Sequence, residues 1–450
     1  MTLKELRKKY PSFSYESYSW KLDGKDLLVS FCFKGSKVEF NPKVLIKDIP
    51  VNSFKKINKS VLNNLVFNLG MIEMFSYWKA TCSQKIIIKA GKLDKKQINW
   101  WKDILINGMG QFFYENKIDF TSPNFVEIIS EGKDNFKKGK VSGKGILAPI
   151  GGGKDSAVTL EILKNFAKDV DCFSLNSTLN TKEMFKISGY KNMIVCERKI
   201  EENLLKMNRE GYLNGHTPFV AYLSFLLVLV SVIFNKKYIV LSNEDSSNEG
   251  NVNWKGKEIN HQYSKTYDFE KKFREYVDKY MVDNLEYFSI LRLLYEIQIA
   301  RLFSYIKEYF PIFLSCNEAH KTYSGTKKKT GKWCGACSKC LFVYMILYPF
   351  LSKEELLSIF KEDLFEKKEL LEILKELIGE KKVKPFECVG TRKEALVALY
   401  MSYKKEGGLP VLLGYFEKNI LPKHNNWENM TMEVMDHWNR KNFIPQYFKD

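Results

Sequence analysis

The stretch LAPIGGGKDSAVTLEIL, residues 147–163, decides the fold. An apolar run ending at Ile150 reads as a buried strand, and the amphipathic run that follows reads as a helix. Between them, Gly151, Gly152 and Gly153 let backbone N–H groups approach an anion closely. The helix start adds unpaired donors and the positive end of its dipole. The turn is therefore a phosphate cradle. It is neither a Walker loop nor a dinucleotide fingerprint, because neither G-x-x-x-x-G-K-[ST] nor G-x-G-x-x-G is present. Lys154 can neutralise phosphate charge, Ser156 can donate to it, and Asp155 can hold Mg²⁺ between phosphates.

Around this loop, short apolar runs alternate with helical patterns, the signature of a parallel sheet made of βαβ units. Strands are expected at 146–150, 172–175, 193–196, 238–242 and 312–315, with helices starting near Asp155, at Thr217-Pro218, near Lys265 and near Leu293. Thr217 and Pro218 suit an N-cap and first-turn pair. Upstream, residues 15–40 read as a small antiparallel meander around Asp23-Gly24 and Gly35-Ser36, followed by helices over 51–80 and 93–116. The Gly- and Lys-rich segment 132–145 is the expected boundary. Beyond residue 350 the pattern is helical. The expected organisation is thus an α+β N-terminal domain (1–140), an α/β domain with a parallel sheet and flanking helices (141–350), and a helical C-terminal region (351–450).

The 450 residues are 45% hydrophobic and 14% aromatic, which supplies packed cores and excludes wholesale disorder. The net charge is +18, of which residues 1–140 carry +11. That field suits polyanionic partners such as nucleic acid, nucleotides and nucleotide-sugars; a Lys-rich solvated surface gives the same composition. The longest apolar run, residues 219–234, spans 16 residues and contains Ser224 and Ser231. It is short for a bilayer, so a buried helix and no membrane insertion are expected. The first residues lack the apolar core of a secretory signal, which makes the cytoplasm the expected location.

Three further clusters carry chemistry. YIVLSNEDSSNEGN, residues 238–251, places Asn243, Glu244, Asp245 and Glu249 after a strand, where open α/β sheets gather ligands. A solvated polar loop has the same composition. In NHQYSKTYDFE, residues 260–270, His261, Tyr263 and Lys265 lie close together and suit proton transfer or anion binding; His216, just before Thr217-Pro218, competes for any proton role. Cys316, Cys334, Cys337 and Cys340 have the spacing C-x17-C-x2-C-x2-C, which suits a closed tetrahedral zinc site. An iron–sulfur cluster and unliganded thiols remain open alternatives. Cys32, Cys82, Cys172, Cys196 and Cys388 read as ordinary buried cysteines.

The GGGKDS turn resembles the S-G-G-x-D-S fingerprint of the PP-loop ATP pyrophosphatases, with Gly151 in place of the usual Ser. A PP-loop followed by such a cysteine cluster also resembles deazaguanine synthases and some tRNA-modifying enzymes, which implies an alternative in which a tRNA or deazapurine is adenylated. The set PIGGGKDS, SNEDSSNEGN, NHQYSKTYDFE, YFSILR, Gln298-Ile299-Ala300-Arg301 and WCGACSKCLF, spread over about 145–350, resembles more fully the UDP-N-acetylmuramoyl-L-alanyl-L-glutamate epimerases, the MurL family. That resemblance implies a nucleotide-sugar dipeptide substrate, ATP and Mg²⁺, inversion of the terminal L-Glu through an acyl-adenylate, and no stable nucleic-acid partner. It assigns Gly151, Gly152, Gly153, Lys154 and Ser156 to the ATP phosphates, and Asp155 with Glu249 to Mg²⁺. His261, Tyr263 and Lys265 are candidates for proton transfer or for binding the glutamyl carboxylate, with His216 competing for any proton role; Asn243, Glu244, Arg292 and Arg301 are candidates for the substrate, the arginines as clamps on its carboxylates or diphosphate.

Overall fold

Strands Gly145–Pro149 and Val170–Leu175 bury almost every residue, as strands covered on both faces do. The computed structural model describes residues 2–166, 169–320, 331–406 and 409–449. In it these two strands lie at the centre of a parallel block ordered Glu286–Ser289, Lys236–Leu241, Gly145–Pro149, Val170–Leu175, Asn192–Lys199. Helices Lys154–Leu163, Leu179–Ser188 and Phe219–Phe234 lie between the strands in sequence, the expected βαβ arrangement.

The N-terminal meander forms as Ser12–Asp23, Asp26–Gly35 and Val38–Phe40. It does not stand apart from the parallel block. Strand Lys43–Ile46 pairs antiparallel with both Asp26–Gly35 and Asn192–Lys199, with Ile46 opposite Leu27 on one side and Cys196 on the other. Among the described residues, eleven strands therefore make one mixed sheet, ending at Lys85–Ile88 and Glu127–Ser130.

Helix Lys59–Trp78 is buried around nearly its whole circumference, between the N-terminal strands and the apolar helix Phe219–Phe234. The latter is buried over most of its length and closes at Asn235, whose φ of 53° is left-handed. No helix among the described residues is long and apolar enough to cross a membrane. Beyond residue 337 the chain is helical, with Ser338–Leu347 packed on Arg392–Lys405. Capping boxes at Ser352/Glu355 and Thr391/Glu394 start two of these helices.

Two local expectations are corrected. Residues 312–315 form no strand, because their backbone serves neighbouring loops: Leu314 N–H donates to the Gly152 carbonyl at 2.8 Å, and the Ile312 carbonyl accepts from Asn180 at 2.7 Å. The edge of the parallel block is Glu286–Ser289 instead. Nor does Thr217 cap the following helix. Pro218 holds the N-cap position without a side-chain bond, and helical geometry starts at Phe219.

Candidate active site

The glycine turn sits at the C-terminal end of Gly145–Pro149 and opens into helix Lys154–Leu163. Gly152 has φ +86°, a conformation that favours glycine. The Gly151 N–H donates to Ser156 Oγ at 3.1 Å, so this serine shapes the turn from inside. Among the described residues, the N–H groups of Gly152 and Gly153 meet no acceptor. Two donors are thus presented by the backbone at a helix start, as an anion cradle needs.

Beneath the turn lies a buried cluster of carboxylates and lysines. Lys154 is 1% exposed and is ion-paired with both Asp155 and Glu296. Its charge is held by these acids rather than offered to a ligand. Lys339 lies 3.5 Å from the other Glu296 oxygen and donates to the Cys388 carbonyl. Glu244 is fully buried, and neither of its carboxylate oxygens has a hydrogen-bond partner among the described residues; its nearest ion-pair partner is Lys265 Nζ at 3.9 Å. One oxygen from each of Asp155, Glu244 and Glu296 lies within 4.8 Å of the others. Hard oxygen donors so placed, one carboxylate wholly unsatisfied, fit a Mg²⁺ ion.

The electrostatics separate these acids. Burial pushes the Glu244 carboxyl above its ordinary range, against the pull of Lys265. Burial resists ionisation of Glu296 too, but Lys154 and Lys339 hold it well below the carboxylate range. Lys265 is kept protonated despite burial by Cys388, Glu244, Asp155 and Glu296.

A cavity of about 330 Å³ opens over the cluster. Gly151, Gly153, Asp155, Ser156, Asn243 and Lys265 line its polar side, and Phe173, Leu175, Phe219, Val220, Leu223 and Leu241 its apolar side. The glycine turn, Asp155, Ser156, Asn243 and Lys265 are thus brought together, with Glu244 buried beside Lys265.

Other expected residues fall elsewhere. Glu249 accepts from Lys384 Nζ and Arg392 N–H, both at 3.1 Å, and so anchors the C-terminal segment rather than joining Asp155. Arg292 is fully buried and bonded to Glu270, the Glu244 carbonyl, Ser247 and the Lys265 carbonyl. It fixes the two loops that carry Glu244 and Lys265. Arg301 is exposed and does not line the cavity. The Tyr263 hydroxyl donates to Asp268 at 2.9 Å and accepts from Lys272 at 3.3 Å, outside the cavity. His261 and His216, far apart in sequence, meet with ring centroids 4.5 Å apart, and His261 Nδ1 lies 2.6 Å from Gln111.

The four cysteines converge. Sulfur separations are 4.0 Å for Cys316–Cys337, 3.6 Å for Cys334–Cys340 and 3.5 Å for Cys337–Cys340. A tetrahedral zinc with bonds of about 2.3 Å sets its sulfurs about 3.8 Å apart, so the quartet fits one such ion. The site abuts the cavity: Asn317 and Lys339 line it, and Ser315 touches the glycine turn.

Sequence reasoning missed three residues here. Glu296 stands among apolar residues in YEIQIA with no motif to mark it, and Lys339 is hidden as a spacer between Cys337 and Cys340. Cys388 was expected to be buried; it is half-buried and lines the cavity. The bond from Lys339 to its carbonyl brings the C-terminal segment over the site.

A buried acid–lysine floor under a glycine turn at a strand–helix junction is the site of a mixed α/β protein, and comparison with known proteins identifies it as an enzyme's. Residues 4–290 match the MurL N-terminal domain and residues 312–411 the MurL C-terminal domain. The UDP-N-acetyl-alpha-D-muramoyl-L-alanyl-L-glutamate epimerase of Salinispora tropica is 30% identical over 404 residues, covering 90% of this chain and 87% of that protein. The protein of the same name from Micromonospora sp. is 30% identical over 396 residues, 88% and 87% of the two chains. That from Xanthomonas oryzae pv. oryzae is 29% identical over 367 residues, 81% and 80%. The chain belongs to the MurL epimerase family.

Proposed function

We propose that the chain is an ATP-dependent isomerase of peptidoglycan precursor synthesis. It would invert the terminal L-Glu of UDP-N-acetylmuramoyl-L-Ala-L-Glu to D-Glu through an acyl-adenylate, releasing AMP and pyrophosphate in the cytoplasm. The carrying observation is the meeting, around one cavity, of the glycine turn, the three-carboxylate floor and Lys265. The strand–GGGKDS–helix arrangement supports kinship with the PP-loop ATP pyrophosphatases.

The chemistry suits these residues. A carboxylate suppresses loss of the neighbouring α-proton, because a second negative charge would form beside the first. Attack of that carboxylate on the α-phosphorus, with departure of pyrophosphate, converts it to a neutral, electron-withdrawing anhydride. A base then takes the α-proton, a proton returns on the opposite face, and water opens the anhydride to carboxylate and AMP. The N–H groups of Gly152 and Gly153 bind phosphate oxygens. The apolar wall of Phe173, Leu175 and Leu241 receives the adenine. Lys265 offsets the negative charge that develops on the acyl oxygen. His216 and His261 carry the protons; Tyr263, whose hydroxyl is engaged elsewhere, does not. Asp155, Glu244 and Glu296 would hold Mg²⁺, which supplies charge neutralisation for the departing phosphates. Cys316, Cys334, Cys337 and Cys340 would hold zinc, which supplies a structural cross-link.

The test is incubation with the L-Ala-L-Glu nucleotide-sugar, ATP and Mg²⁺ in D₂O. Deuterium at the glutamyl α-carbon, D-Glu and AMP should appear together. Inversion that proceeds equally well without ATP would refute the adenylation reading.

A further inference from the structure

The residue after helix Lys59–Trp78 carries a charge that no acid among the described residues pairs with. Lys79 is 8% exposed, and its ammonium donates to the Gly215 carbonyl at 2.9 Å and to nothing else among the described residues. Glu73, a fully buried carboxylate on the same helix, is already held by Arg198 through bonds of 3.1 and 2.8 Å. Arg198 also donates to Ser76 at 2.9 Å and stacks over Tyr222 at 4.5 Å, so it is fixed as a standing positive charge. Lys79 is left in excess, with two of its three N–H donors unused. Burial and Arg198 push Lys79 down to about 8, while burial and Lys79 push His216 down to about 4. A bound anion would reverse both shifts.

Two further observations tie this charge to the cavity. His216 is half-buried, makes no hydrogen bond among the described residues, and lies three positions before Phe219 in the cavity wall. The Tyr222 hydroxyl is buried without a hydrogen-bond partner among the described residues, on the same turn of helix as Phe219, Val220 and Leu223. An ammonium that loses its hydration and gains no counter-ion is a poor structural element. It is a good receptor for an oxyanion that arrives with its own charge.

We propose that Lys79 and His216, backed by the fixed charge of Arg198, form a second anion subsite behind the Phe219–Leu223 wall of the cavity, which takes a carboxylate or phosphate group of the acceptor substrate. Assigning the anion to the acceptor rests on the epimerase reading; the existence of the subsite does not.

The experiment follows thermal stability and calorimetric binding of the full chain, wild type beside Lys79→Met, Lys79→Arg and His216→Gln. The probes are L-Ala-L-Glu, which offers carboxylates alone, and UDP-N-acetylglucosamine, which offers the diphosphate alone. At least one should stabilise wild type and Lys79→Arg in a dose-dependent way, and bind Lys79→Met about tenfold or more weakly. His216→Gln should weaken the same probe. A response to the dipeptide assigns the anion as carboxylate, and one to the UDP-sugar as phosphate. Free Lys79→Met should melt no lower than wild type, because an uncompensated charge has gone, and its stabilisation by Mg·ATP should be unchanged. Equal binding of both probes to wild type and Lys79→Met would overturn the proposal, as would loss of stability together with loss of the Mg·ATP response. Wild type that binds a probe through Lys79 yet never exchanges the glutamyl α-proton keeps the subsite and removes the epimerase reading.

Discussion

The hydroxyl of Ser315 lies 2.7 Å from the point that a β-carbon on Gly153 would occupy. Gly153→Ala should therefore push the turn and residue 315 apart, at a stability cost of about 1–3 kcal/mol and with a large loss of AMP formation. Gly151, with nothing within 4 Å of its β-carbon position, is the matched control. Gly151→Ala should stay within about 0.5 kcal/mol of wild type in urea unfolding. Equal stability losses for both would contradict the contact.

Cys337 has sulfur neighbours at 4.0 and 3.5 Å. Cys337→Ser should release about one equivalent of metal, measured by elemental analysis, and lower stability by several kcal/mol. Because Cys316 adjoins Ser315, the same variant should weaken nucleotide binding. Unaltered metal content would show that the quartet holds no ion.

Both oxygens of Glu244 are buried without a hydrogen-bond partner among the described residues. Glu244→Gln should change stability by less than about 1 kcal/mol, since the burial cost of the carboxylate is relieved while Lys265 keeps Asp155 and Glu296 as counter-charges. AMP formation should fall by about a hundredfold or more. A less stable protein with normal turnover would assign this carboxylate to the scaffold instead.

His216 is held below its ordinary value, at about 4, by burial and then by Lys79. A depressed histidine favours the native state while it is neutral. Its contribution is complete above pH 6.5 and is lost as pH falls toward 4, where the unfolded chain takes up the proton first. His216→Gln should flatten that part of the stability–pH curve. An unchanged slope in denaturant melts between pH 6.5 and 4 would place the titration elsewhere.

Arg292 spends its guanidinium on Glu270, Ser247 and two backbone carbonyls. One ammonium cannot reproduce that fork, so Arg292→Lys should cost about 3 kcal/mol and loosen the loops bearing Glu244 and Lys265. Nucleotide binding should weaken in step with the fall in urea midpoint. Unchanged stability with impaired substrate binding would instead favour the substrate clamp expected from sequence.

The glycine turn, the parallel strands beside it and the cysteine quartet were legible because each is a local pattern: backbone freedom, apolar period, thiol spacing. The strand at Glu286–Ser289 was not placed, since YFS and the equally apolar stretch at 312–315 offer the same signal. Tertiary contacts distinguish them: residues 312–315 bond to Gly152 and Asn180, whereas Glu286–Ser289 pairs with Lys236–Leu241. An arginine in a motif suggests a ligand for its charge; that Arg292 bonds instead to Glu270, Ser247 and two carbonyls is a fact of tertiary packing. Glu296 and Lys339 carry no spacing signal and gain meaning only when Lys154 and Lys339 converge on Glu296.

The antiparallel seam between Lys43–Ile46 and Asn192–Lys199 makes the first third of the chain a neighbour that the parallel block cannot do without. Severing the polypeptide near residue 140 and expressing either piece alone would lay bare two raw ladder edges, one per fragment, each primed for aberrant pairing. The two halves should therefore melt in one cooperative step and regain solubility only when co-produced.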